Sequence, residues 1–151
     1  MMFWAGNKPR WGMTRSELIA AVGVEHLRTT PRQLFKDAYT ELIIPRVEIG
    51  RYDFEIQFQM SIAADRLQQV LIRHEGDLAT EPRGAHSAAL KVLTERFGRP
   101  QRVATSDEML WPFKTTTIYL DMLYNQDVMA YVAIRFRPSG QDGAISSLSA
   151  F

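Results

Sequence analysis

The chain has 151 residues, 46% of them hydrophobic and 23% charged, a composition in the globular range and enough for one domain with an ordinary core. Eighteen basic residues against 17 acidic ones leave a net charge of +1. That balance excludes bulk attraction to nucleic acid or anionic lipid, and the absence of cysteine excludes disulfides, thiolate catalysis and Cys-ligated zinc or iron–sulfur sites.

No run approaches the roughly 18 apolar residues of a transmembrane helix, so membrane insertion is not expected. The opening MMFWAGNKPR lacks a basic region followed by an apolar one and does not read as a signal peptide. The expected compartment is therefore the cytoplasm, or the periplasm if a further segment precedes this one. Residues 1–13 place Trp4 and Trp11 among Gly, Asn and Pro, an N-terminal arm pinned by its indoles.

Thr14 is a good N-cap, and Glu17 three residues on completes a capping box. Leu18, Ile19 and Val22 lie along one side of the helix that follows, and Gly23 suits its end. Thr30-Pro31 reads as a second, brief helical turn, with threonine as cap and proline in the first position.

From Tyr39 the period changes to two. Residues 40–49 read as a strand in which Pro45 marks an edge or a bulge. After a turn at Gly50-Arg51, residues 52–60 alternate almost completely. Phe54, Ile56, Phe58 and Met60 face one way, and Asp53, Glu55, Gln57 and Gln59 the other. Residues 67–74 return, with Val70 and Ile72 inward. Residues 77–84 form a polar linker containing Pro82, the seam between halves 14–76 and 84–137.

A helix over 86–97 then turns Leu90, Leu93 and Phe97 to the core, and Gly98 and Pro100 end it. Residues 102–110, 115–124 and 128–137 are strand-like, the last two joined by a tight hairpin connection. Their apolar sets are Ile118, Leu120 and Met122, then Ala130, Val132, Ile134 and Phe136. Residues 138–151 read as a flexible tail.

One helix followed by three strands, written twice, predicts an α+β fold: an αβββ-αβββ tandem repeat forming a single antiparallel sheet of about six strands, both helices on one face. The expected single domain spans residues 14–137.

The segments Arg10-Trp-Gly-Met-Thr-Arg-Ser-Glu-Leu18 and Leu93-Thr-Glu-Arg-Phe-Gly-Arg-Pro100 carry a resemblance. The chain resembles, over roughly residues 10–137, a bacterial group of tandem α-β repeat proteins that includes the β-lactamase inhibitor protein fold and small lipoproteins of outer-membrane assembly. The resemblance implies a non-enzymatic protein that binds another protein through the open face of its sheet. The lipidated cysteine of the lipoproteins has no counterpart here.

No catalytic constellation stands out. His26, His74 and His86 are the scarcest resource, and His74-Glu75-x-Asp77 comes nearest to a metal cluster. Adjacent strand residues point to opposite faces, however, so no metal site is expected. Gly-x-Ser-x-Gly and Gly-rich phosphate loops are missing. Asp53 and Glu55 would stand about 7 Å apart on one strand face, but on a wet surface with nothing to separate their acidities.

Arg135 and Arg137 alternate with Tyr131, and acidic Asp53, Glu55 and Asp121 fall on the same face. Mixed charge repels phosphate, so nucleic acid is not an expected partner. The expectation is a non-catalytic protein-binding module, inhibitor-, immunity- or adaptor-like, without a cofactor. Its binding residues are Tyr119, Tyr131, Arg135, Glu55 and Gln57, since Tyr and Arg tend to carry interface affinity. The alternative is an accessory structural subunit of a larger assembly, held by the arm (Trp4, Trp11) and the tail. A small-molecule or enzymatic site between sheet and linker ranks third.

Overall fold

Thr14 starts α1 (Arg15–Val22) with a reciprocal capping box. Its Oγ1 accepts from the Glu17 N–H at 3.3 Å, and Glu17 Oε1 accepts from the Thr14 N–H at 3.0 Å. Gly23, at φ 101, ends the helix with its N–H on the Ile19 carbonyl. So short a helix is held by packing, and Leu18 and Val22 are fully buried. The structure, a computed structural model, describes residues 10–76, 82–103, 108–125 and 129–140.

Four strands follow α1: β1 (Arg28–Leu34), β2 (Ala38–Ile49), β3 (Tyr52–Ser61) and β4 (Leu67–Gly76). Then comes α2 (Pro82–Phe97), and four more: β5 (Gln101–Arg102), β6 (Met109–Pro112), β7 (Thr116–Asn125) and β8 (Met129–Pro138). All eight form one antiparallel sheet in the order β1-β2-β3-β4-β8-β7-β6-β5. The seam is the β4–β8 ladder, which runs from Val70↔Phe136 to Gly76↔Ala130.

The expected six strands in an αβββ-αβββ repeat are thus overturned, because each helix is followed by four strands. Two local misreadings explain the difference. Thr30-Pro31 is not a helical turn but part of β1, inside an irregular stretch of the β1–β2 ladder between Thr29 and Gln33. An edge strand tolerates a residue without an N–H there. The stretch read as one strand over 102–110 is two pieces, β5 and β6, which pair with each other through Gln101↔Leu110 and Arg102↔Met109. β5 is two exposed residues long and leaves no alternation to detect.

Both sheet edges are blunted, β1 by Pro31 and its irregular register and β5 by its shortness. Pro45 lies in the second irregularity of β2, between Ile44 and Val47.

The helices and one sheet face share a single buried cluster. Phe54, Ile56, Phe58, Val70, Ile72, Ile118, Leu120, Val132, Ile134 and Phe136, all expected on the sheet side, are all buried. α2 starts at Pro82 rather than at residue 86, with proline's fixed φ at its first position. Its buried stripe is Pro82, Ala85, Ala89 and Leu93, while Leu90 and Phe97 are only partly buried at the margin. Small residues at the contact bring the helix close to the sheet.

Side-chain bonds tie the periphery to this core. The buried Trp111 indole donates to the Gly98 carbonyl at 2.7 Å, joining β6 to the end of α2. Trp11 Nε1 donates to Thr116 Oγ1 at 2.9 Å, joining the N-terminal approach to β7. The Tyr39 hydroxyl donates to Asp65, which turns the chain between β3 and β4 at φ 57. Among the described residues no helix is long and apolar enough to cross a membrane.

Candidate functional site: the helix-free face of the sheet

Directly paired residues of an antiparallel ladder share a face, so register alone places the expected binding residues. One row across the sheet runs Gln57↔Leu71↔Arg135↔Tyr119↔Leu110. The next runs Glu55↔Arg73↔Ala133↔Asp121, and beyond it lies Glu75↔Tyr131. Tyr119, Tyr131, Arg135, Glu55 and Gln57 therefore stand together on the face opposite the helices. No described helix packs on it.

Their solvent contact is unequal. Gln57 and Tyr119 are each only 5% exposed, whereas the Arg135 side chain is 33% exposed. Ile43, Leu110 and Ala133 are also buried on this side without joining the core cluster. The Arg135 guanidinium lies over the Tyr119 ring, 5.5 Å from its centroid, so the tyrosine is a floor and the arginine the surface.

Arg135 Nη2 bonds two acids at once, Asp121 at 2.6 Å and Glu108 at 3.0 Å. Burial, then a hydrogen bond with Asp121, push the Glu108 carboxyl above its ordinary value, and the Arg135 charge works against both. Arg135 Nε is buried without an acceptor among the described residues. Beside this triad Arg73 pairs with Glu75 at 3.1 Å and sits 5.7 Å from the Tyr131 ring centroid. Gln57 Nε2 donates to Glu55 at 2.8 Å. Asp53 is paired separately with Arg46 at 2.9 Å.

Glu108 belongs to this cluster but was missed in the sequence, because it precedes a strand whose existence as a separate piece was invisible. Asp121 falls on this face from alternation alone.

His74 turns the other way. It packs edge-on against Tyr52 and tilted against Phe54, with centroids 5.7 and 5.3 Å away, and its Nδ1 donates to the Asp53 carbonyl at 2.8 Å. Its Nε2 is buried without a partner among the described residues. Glu75 projects from the opposite face, and Asp77 lies outside the described residues. No group of three His, Asp or Glu side chains suited to a metal occurs among the described residues. Trp11 is engaged within the chain, while Trp4 and most of the tail lie outside the described residues.

No family model, curated protein or solved structure matches this chain. The resemblance to the inhibitor-protein group rests on its short motifs alone.

Proposed function

We propose that the chain is a non-catalytic module that binds another protein through the helix-free face of its sheet. One observation carries this reading: Arg73, Glu75, Tyr131 and Arg135 form a partly exposed, mixed-charge patch in the middle of the sheet, flanked by the Glu108–Arg135–Asp121 triad. Arg and Tyr are the residues that most often dominate binding energy, and ion pairs already formed hold them in place before a partner arrives. Both signs of charge within one patch select a partner of complementary pattern rather than a polyanion. The blunted edges disfavour strand addition, which leaves the face.

The test uses two partly exposed positions, since Tyr119 and Gln57 are too buried to change without disturbing the fold. Tagged wild-type protein and the Arg73→Ala/Tyr131→Ala variant are used as baits in lysate of the source cell, with captured proteins identified by mass spectrometry. The wild type should retain a protein that the variant loses, while both melt at similar temperatures. If every retained protein binds both baits equally, this face is not the binding surface.

A further inference from the structure

The helix-bearing side of the sheet holds a second feature, a groove of about 640 Å³ where the N-terminal approach crosses the starts of β4 and β7 and the end of α2. Its walls are Trp11, Leu67, Val70, Phe97 and Phe136, with Phe113, 39% exposed, at the rim. Phe97 packs against Phe113 and Phe136 with centroids 5.8 and 6.5 Å apart. A volume of this size and an apolar, aromatic lining are those of a small-molecule site.

Among the described residues Arg10 is the one charged residue in the lining. Its backbone N–H bonds Met13 Sδ at 3.3 Å, but its guanidinium makes no hydrogen bond or ion pair among the described residues. Its charge is the last and smallest of the causes that lower the Glu17 carboxyl. Thr115 and Thr116 add hydroxyls to the lining, and that of Thr116 already accepts from Trp11. Among the described residues the groove is thus oil-lined, with the unpaired Arg10 as its single cation.

We infer that this groove binds one long-chain fatty acid, its carboxylate on Arg10 and its chain along Val70 and Phe136. A planar guanidinium matches a carboxylate with two parallel hydrogen bonds, which a single cation can supply. A phospholipid would bring a second acyl chain and a headgroup calling for more positive charge than the lining offers. Burial of the hydrocarbon supplies the affinity, and the arginine selects acid over alcohol.

The experiment titrates myristate and, separately, tetradecanol into the full chain below their aggregation limits, by calorimetry with amide chemical shifts recorded in parallel. Myristate binds one to one and shifts the amides of residues 67–70 and 136. Arg10→Gln weakens myristate about tenfold, the order of one charge-assisted hydrogen bond, and leaves tetradecanol unchanged. Thr115→Trp, an exposed position in the lining, blocks both ligands without touching the core. The inference is overturned if myristate does not bind, which includes a groove filled by the chain's own first residues. It is equally overturned if Arg10→Gln binds myristate as the wild type does, or if the shifted amides lie elsewhere.

Discussion

The Tyr52 hydroxyl occupies the place where a side chain on Gly84 would begin, and its Cζ would stand 2.9 Å from an added Cβ. The two residues bring the first turn of α2 up against the start of β3. In an exposed helix, alanine in place of glycine stabilises by about 0.5–1 kcal/mol. Here the sign should reverse. The Tyr52 ring is held edge-on against His74 and has little freedom to swing aside. Gly84→Ala should therefore cost about 1 kcal/mol in urea unfolding, and Tyr52→Phe in the same chain should recover part of it, since the ring's Cζ remains. A stabilised single variant would show that the ring moves freely.

The Glu108 carboxyl, raised chiefly by burial and then by Asp121, gives a pH dependence opposite to that of an ordinary ion-paired acid. Its folded-state value lies above the unfolded value of about 4.5, so the folded state holds the proton more tightly. The resulting stability is complete below pH 4.5 and is lost as pH rises through the folded value. Glu108→Gln cannot titrate. The wild type should thus lose stability relative to this variant as pH rises from 4.5 through the folded-state value, by a small amount because the group is partly solvated. Urea titrations at several pH values measure it, and a difference that stays constant would place the Glu108 value at the ordinary one.

Trp111 contributes both volume and a hydrogen bond. Trp111→Phe keeps most of the ring but leaves the Gly98 carbonyl without its donor, which should cost about 2 kcal/mol. Trp111→Ala opens a cavity in the core as well and should cost about 3–5 kcal/mol. Thermal melts of the two variants separate the contributions. Equal melting temperatures for wild type and Trp111→Phe would mean that water serves the carbonyl equally well.

Much of the fold was readable where one residue pattern had one structural meaning. Alternation along β3 named Phe54, Ile56 and Phe58 as core before any strand partner was known, and all three are buried. The Thr14–Glu17 box was equally local, since both partners lie within one turn. Reading failed where a residue's meaning depends on its neighbours in space. Pro31 looks like a helix start until Leu42 and Thr40 of β2 are placed beside its flanking residues. Leu90 is more apolar than Ala89, yet Ala89 faces the sheet because the helix lies close against it.

The same division runs through the candidate sites. Alternation placed Glu55, Gln57, Tyr119, Tyr131 and Arg135 on one face, because a strand's period of two is set by its own backbone. It did not reveal that Tyr119 lies beneath Arg135, or that Glu108 joins Asp121 on that arginine, 27 and 14 residues from it along the chain.

By itself the sequence determined the capped first helix, the alternating strands and which of their faces is apolar, since each follows from backbone geometry over a few residues. Tertiary structure alone decided the eight-strand order, the ion triad and the groove beside Arg10, because each depends on segments that meet only when the chain closes on itself.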